Sequence, residues 1–407
     1  MTVETTCRSC GSSDLGPVLS LGQTPLANSL LTAETLGQVE PTYPLDVVVC
    51  RACTLVQITV TVPPDELFRN YLYFSSFSET MLRHAEALTS RLVTAHGLGA
   101  DNLVVEIASN DGYLLQYYAQ AGVRVLGIEP ARNIARVAEE RGIPTVSEFF
   151  DERLAATLAA RGQRADVIHA NNVLAHVADL NGVIAGIRLL LKEGGVAVIE
   201  VPYVRDLIEH VEFDTIYHEH LCYFSLTALE RLFHRHDLCI LDVERLVIHG
   251  GSLRVFVGAG SAPSPTARAL LQEEKEWGVA DAETYASFGA RVAGLRAALR
   301  AQLADLKAQG KTIAAYGASA KGCTLLHYCG IGKETLDFVV DRSPVKQGHY
   351  TPGTHLPIYA PERLLEAMPN YVLLLTWNFA DEILTQQAAY RARGGRFVVP
   401  VPHVRIL

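Results

Sequence analysis

The sequence predicts an α/β protein in three parts. A small metal-bound N-terminal domain is followed by a central doubly wound, Rossmann-like domain and a second Rossmann-like α/β domain at the C-terminus. Three observations predict this. Four of the eight cysteines fall in two tight pairs, Cys7-x-x-Cys10 and Cys50-x-x-Cys53, within the first 53 residues. From about residue 100, short β-branched runs alternate with helical patterns, as in a mostly parallel sheet. The alternation pauses at Ala262-Pro263-Ser264-Pro265 and then resumes. The expected domains are residues 1–65, 66–262 and 263–407. A single large α/β domain with insertions is the alternative.

Two thiolates separated by two residues can point into one tetrahedral site, and two such knuckles complete a closed structural Zn²⁺ site. The 39 residues between the knuckles exceed the usual ribbon spacing, so an insertion is expected to loop out there. Disulfides suit the cysteines poorly in an acidic chain whose start, MTVETTCRSC, lacks the apolar core of a signal peptide. A closed Cys₄ site folds a domain but does no chemistry, so the chemistry must lie further along.

With 407 residues, 49% of them hydrophobic, the chain has room for two or three real cores. A net charge of −9 argues against a nucleic-acid or anionic-membrane surface. No run approaches 18 apolar residues. A cytoplasmic protein is expected, with no nucleic-acid or membrane partner, acting as a monomer.

Along the chain, residues 45–49 and 55–60 read as short strands of the first domain, and Pro63-Pro64 as its border. An aromatic segment, Tyr71-Leu72-Tyr73-Phe74-Ser75-Ser76-Phe77-Ser78, leads into an amphipathic helix over 79–96. Residues 103–108, 123–128, 167–169 and 196–201 read as strands, with helices over 114–121 and 133–141. Beyond the linker come a long charged helix, 280–309, and strands at 312–316, 338–340, 372–376 and 396–400.

The first strand-to-helix turn reads Glu106-Ile107-Ala108-Ser109-Asn110-Asp111-Gly112. It is not the G-x-G-x-x-G of dinucleotide enzymes, because Ala108 replaces the first glycine and acidic and amide side chains fill the turn. Glu106 and Asp111 would repel a pyrophosphate but welcome an ammonium and a sulfonium, the charges of S-adenosyl-L-methionine. Glu129, at the end of the next strand, stands where a carboxylate can accept both ribose hydroxyls. Phe149 and Phe150 follow the third strand region, where adenine is commonly sandwiched; core packing is an equal use for one of them. Asn171 and Asn172 end the next strand, at the mouth of the sheet.

After the 196–201 strand comes Tyr217-His218-Glu219-His220. If extended, Tyr217 and Glu219 share one face and the histidines the other. In a helical turn, Tyr217 and His220 share a face. Either way a base and a phenol lie close together, and His176 also follows a strand end. A lone histidine is more often a hydrogen-bonded core or surface residue; the density of the cluster favours chemistry. The second glycine-rich turn, Tyr316-Gly317-Ala318-Ser319-Ala320-Lys321-Gly322, carries a lysine, and backbone N–H groups plus a cation favour phosphate. A degenerate duplicate of the first domain with no ligand is the alternative.

Taken together, C-x-x-C…C-x-x-C, Y-x-Y-F-S-S-x-S, E-I-x-S-N-D-G, Y-H-E-H, H-G-G-S-L-R and Y-G-A-S-A-K-G run along essentially the whole chain. In them the sequence resembles the three-domain sugar C-methyltransferases of deoxysugar biosynthesis. The resemblance implies an N-terminal zinc module, a central S-adenosylmethionine domain and a C-terminal domain that helps bind a nucleoside-diphosphate sugar. Ser319, Lys321, Arg342 and His349 would hold its diphosphate, and Tyr71 would line the sugar pocket. The expected reaction is C-methylation beside the keto group, at C-3, of a dTDP-linked 4-keto-deoxysugar. His220 would be the base, Tyr217 and His176 would stabilise the enolate, and Glu219 would orient a histidine. Ala108 departs from the family's commoner glycine. O- or N-methylation of a related sugar, or a non-catalytic binding scaffold, are the alternatives.

Overall fold

A computed structural model of the chain describes residues 1–68, 74–260 and 262–407. Tyr71 lies outside the described residues.

About half of the stretch between the knuckles folds as β-structure, and residues 26–41 loop out between its two strands. Leu15–Pro25 pairs antiparallel with Thr42–Cys50, which pairs in turn with Val56–Ile58. Alternate residues Leu45, Val47 and Val49 point into the core, so this ribbon has an apolar face to bury. The sheet's fourth strand, Cys222–Tyr223, comes from much later in the chain and pairs with Val56–Ile58. The zinc module thus takes in the segment that follows Tyr217–His220.

The helix expected over 79–96 is present as Glu79–His96. Ser78 caps its start by accepting from the Met81 N–H, and Gly97, left-handed at φ 57°, ends it. Met81, Ala85, Leu88 and Leu92 form its buried stripe. Beside that stripe His84 and Arg91 reach the sheet, at Glu200 (3.0 Å) and Glu244.

The central sheet has seven strands in the order Cys239–Leu246, Ser252–Gly258, Leu191–Pro202, Ala165–Asn171, Leu103–Ile107, Arg124–Ile128, Thr145–Val146. All pairings are parallel except those of Ser252–Gly258, which is antiparallel to both neighbours. The order reverses between Leu103–Ile107 and Ala165–Asn171, and such a switch point opens a ligand crevice at the strands' carboxyl ends. The Pro-rich stretch near residue 263 leads directly into the helix Pro265–Trp277, whose Ser264 cap accepts from the Ala267 N–H. A 27-residue helix, Ala282–Ala308, follows.

The C-terminal sheet runs Ile358–Tyr359, Val339–Val340, Ile313–Tyr316, Tyr371–Leu374, Arg396–Val399, Arg405–Ile406, parallel apart from the last strand. Its switch point lies between Ile313–Tyr316 and Tyr371–Leu374. Residues from all three parts join one continuous hydrophobic cluster, among them Leu45, Ile199 and Leu373.

Candidate active site and metal centre

The four expected metal ligands converge. Their Sγ atoms all lie within 4.8 Å of one another. Cys7 and Cys53 are 3.4 Å apart and Cys10 and Cys50 3.5 Å. Four sulfurs at about 2.3 Å from a tetrahedral zinc are separated by about 3.8 Å, so the cluster matches that ion's size and ligand chemistry.

A cavity of about 590 Å³ opens at the switch point of the central sheet, within the range of small-molecule sites. One end is built by the first loop. Ala108 and Asn110 are left-handed, at φ 53° and 50°, which turns the chain sharply after the Leu103–Ile107 strand. The commoner glycine at position 108 thus has a conformational reason. Gly112 is required: at φ 78°, a Cβ would meet Ile143 Cγ1 at 2.8 Å.

Of the residues expected to hold the methyl donor, Ala108, Asn110, Glu129, Phe149, Phe150, Asn171 and Asn172 line the cavity. Glu129 accepts from the Asn110 and Ala131 N–H groups at 2.9 and 2.8 Å, and burial raises its pKa to about 7. Asn171 Oδ1 is buried with no hydrogen-bond partner among the described residues, a polar atom suited to a ligand. Phe150 also packs against Gly186, so it serves the core as well.

The other acidic residues of the loop do not face the cavity. Glu106 is 1% exposed within the sheet, where burial and the nearby Glu129 raise its pKa well above the carboxylate range. Asp111 is buried behind the loop, paired with Arg141 at 3.0 Å and bonded to the Ser76 hydroxyl. Neither lines the cavity, whereas Glu129 does.

On the opposite wall stand Tyr217, His220 and His176. Residues 217–220 form a turn, closed by the His220 N–H on the Tyr217 carbonyl at 2.9 Å, so the i, i+3 arrangement is the one adopted. His220 Nδ1 faces the Thr215 carbonyl at 2.9 Å, and Nε2 the Tyr217 hydroxyl at 2.8 Å. A carbonyl can only accept, so Nδ1 carries a proton and, in the neutral ring, Nε2 the lone pair. The His176 ring stands edge-on to His220, with centroids 4.8 Å apart, and burial lowers its pKa to about 4. His218 turns the other way, into Tyr43 and the Pro44 carbonyl. The carboxylate of Glu219 accepts from Asn28 at 2.7 Å, and its backbone hydrogen-bonds the His176 ring.

Of the four expected diphosphate ligands, only Lys321 lines this cavity. Its ammonium donates to Asn378 at 2.7 Å and lies 4.6 Å from the Trp377 ring centroid. Burial lowers its pKa, against the opposing pull of Asp214 and Glu212. Ser319 is occupied as a helix cap, accepting from the Gly322 N–H at 3.2 Å. Arg342 is exposed and paired with Glu382, and His349 sits in a turn closed on Lys346. Asp341 accepts from the Ala318 N–H at 2.8 Å, so a carboxylate already occupies that amide of the second loop.

Sequence reasoning missed Glu212 and Asn378, which line the cavity with Lys321, and Asp214 and Trp377, which lie close by. Burial raises the pKa of Glu212 to about 9 and that of Asp214 to about 6. Trp377 donates to Asp214 at 2.7 Å across the boundary between the α/β units. The available signals were Glu212-Phe213-Asp214 just ahead of the histidine cluster, and Trp377-Asn378 just past a strand end.

Comparison with known proteins also finds three parts in this order. Residues 7–68 match a family model described as "Putative zinc binding domain", 77–243 one described as "Methyltransferase domain", and 247–402 one described as "C-methyltransferase C-terminal domain". The chain is 40% identical over 404 residues to the C-methyltransferase NovU of Streptomyces niveus, covering 98% of this chain and 96% of that one. A ubiquinone biosynthesis O-methyltransferase of Methylobacterium sp. (strain 4-46) is 32% identical over 96 residues, 23% of this chain and 37% of that one. Among solved structures, the PH0226 protein of Pyrococcus horikoshii OT3 aligns over 49% of this chain and 97% of its own, at 16% identity and a TM-score of 0.38. Among the described residues no helix is long and apolar enough to cross a membrane. With a full-length relative at 40% identity and all three family models in order, the chain belongs to the S-adenosylmethionine-dependent C-methyltransferases with an N-terminal zinc-binding module.

Proposed function

We propose that this enzyme methylates the carbon beside the keto group, at C-3, of a dTDP-linked 4-keto-deoxysugar, with His220 as the base. The observation that carries the reading is the Tyr217–His220 pair. Its lone-pair nitrogen and hydroxyl meet at 2.8 Å on the wall of the cavity that also holds Glu129 and Asn110.

S-adenosylmethionine, when bound, supplies an electrophilic methyl group, and Asn110, Glu129, Phe149 and Asn171 would hold it. The protein must make the carbon nucleophilic. His220 Nε2 takes the proton from the carbon beside the ketone, the C–H electron pair passes into the enolate, and the Thr215 carbonyl supports the imidazolium through Nδ1–H. The Tyr217 hydroxyl, released from Nε2, donates to the enolate oxygen. His176, kept neutral by burial, spends its one N–H on the Glu219 backbone and stands edge-on to His220, so it would hold the base in place and leave the enolate oxygen to Tyr217. Lys321 and Asn378 cap the end of the cavity built by the C-terminal domain, where an anionic nucleotide moiety would lie.

The test is deuterium wash-out from the carbon beside the ketone, in a panel of sugar nucleotides, with S-adenosylhomocysteine in the donor site. Wild type should exchange at that position. His220→Asn should lose roughly 10²–10⁴-fold of the rate, and Tyr217→Phe an intermediate amount. O- or N-methylation of a related sugar would need no such exchange, so turnover without wash-out sinks the carbon reading. A His220→Asn variant that exchanges as fast as wild type passes the role of base to His176.

A further inference from the structure

We infer that the zinc module is the platform on which the Tyr217–His220 turn is positioned, and that Asn28 is a positioning residue through which it acts. The inference rests on the proposed role of His220 as the base.

The turn belongs by sequence to the central domain, yet it is anchored to the N-terminal module at three successive points. Asn28 Nδ2 donates to Glu219 Oε1 at 2.7 Å. His218 Nε2 meets the Pro44 carbonyl at 3.2 Å, its ring packed edge-on to Tyr43. Directly after the turn, the Ile58 N–H donates to the Leu221 carbonyl at 3.0 Å, and Cys222–Tyr223 becomes a strand of the module's sheet.

The module is itself fixed from the other side. Asn181 donates to the Arg8 and Ser9 carbonyls at 3.2 and 3.1 Å, and Arg235 to Ser9 at 2.9 Å, clasping the first knuckle. Arg231 holds the second knuckle through the Ala52 carbonyl at 3.2 Å. Arg231 lies on the helix Leu226–His234, which follows the Cys222–Tyr223 strand. Knuckles, sheet and catalytic turn therefore form one closed circuit of contacts.

Asn28 matters most within it because it holds the residue next to the base. Glu219 is 4% exposed, and its backbone bonds the His176 ring. Tying its carboxylate to Asn28 fixes the peptide that carries His220 and the contact that carries His176. A buried hydrogen bond at 2.7 Å is strengthened by its low-dielectric surroundings, which suits a positioning role. A displacement of about 1 Å at a reacting group can cost about 10²-fold in rate.

The experiment measures deuterium exchange, as above, on the dTDP-linked 4-keto sugar that wild type exchanges, in Asn28→Ala and Asn28→Gln. Donor affinity by calorimetry and zinc content are measured alongside. Asn28→Ala should lose roughly 10- to 100-fold in exchange, with donor affinity within twofold of wild type and the zinc retained. Asn28→Gln, which keeps an amide donor, should recover part of the loss. Exchange at the wild-type rate in Asn28→Ala overturns the proposal. If Asn28→Ala loses zinc or folds poorly, the decision passes to Asn28→Gln and Glu219→Gln singly and combined. Losses that fail to compound show that the two side chains act through each other, and losses that multiply overturn the proposal. The base assignment fails separately, if His220→Asn exchanges as fast as wild type.

Discussion

Glu129 carries a carboxylate that its surroundings hold partly protonated near neutral pH. Burial is the dominant cause and is only partly offset by the Ala131 and Asn110 N–H groups. Its pKa, about 7 in the fold, lies above the ordinary 4.5. Its contribution to folding is therefore complete below the ordinary value and is lost as pH rises through about 7. If Glu129 accepts the ribose hydroxyls, as proposed, donor binding should run the other way, because they donate best to the ionised form. S-adenosylmethionine affinity should therefore rise from pH 6 towards pH 8, by at most about tenfold per unit, and calorimetry across that range checks it. Glu129→Ala should weaken binding by roughly 1.5–3 kcal/mol and flatten the dependence. Equal affinity in the variant removes Glu129 from the site. Glu129 was legible in the sequence because its place at a strand end is a local property. The burial of Glu106 and the Arg141 partner of Asp111 were not, since both depend on residues brought together only by the fold.

The knuckles are the elements most completely specified by sequence, because two C-x-x-C turns need only meet to form a site. Cys50→Ser should lose zinc and lower the melting transition, since metal binding energy is folding energy in such a module. Elemental analysis and thermal melting check this, and a zinc-replete variant with an unchanged transition would falsify it. The parallel strands were legible too, since runs such as Val104-Val105 and Val196-Ala197-Val198-Ile199 are apolar on both faces. Two features were not. Cys222–Tyr223 is two residues long and pairs with a strand from another module, so no local period marks it. The antiparallel hairpin Cys239–Leu246 and Ser252–Gly258 closes through Gly250 and Gly251, whose left-handed conformations let the chain pass close over Glu212 and Asp206. At Gly251, φ 137°, a Cβ would lie 2.6 Å from the Asp206 Cβ. Gly251→Ala should therefore destabilise by about 1–3 kcal/mol, the scale of overpacking plus backbone strain. Denaturant titration with an unchanged midpoint would count against that account.

At the scale of the whole molecule the domains are locked together by the shared hydrophobic cluster and by a set of polar contacts. Glu40 of the N-terminal module meets His355, and Gly353 N–H donates to it at 2.9 Å, while Leu31 bridges Tyr350. Between the α/β units, Trp377 donates to Asp214, which is fully buried beside Lys321. Desolvation raises Asp214 to about 6, and Lys321 and the Trp377 indole pull it back. Removing one partner should leave a buried carboxylate under-satisfied, which costs about 1–3 kcal/mol. Trp377→Phe keeps the ring and deletes only the N–H, so it should lower stability on that scale. Lys321→Met deletes the charge that opposes two buried carboxylates and should cost more, about 3–5 kcal/mol. The pH dependence tests whether the buried carboxylate is the cause. With its partners removed the Asp214 pKa should climb further above its ordinary value, so the penalty grows as pH rises through about 6. Both variants should accordingly recover towards wild type near pH 5. Denaturant titrations at pH 5 and pH 8 check this. A Lys321→Met deficit equal at both values would mean that the lysine is not held by the carboxylates, and that its place in the cavity is set by Asn378 and the Trp377 ring alone.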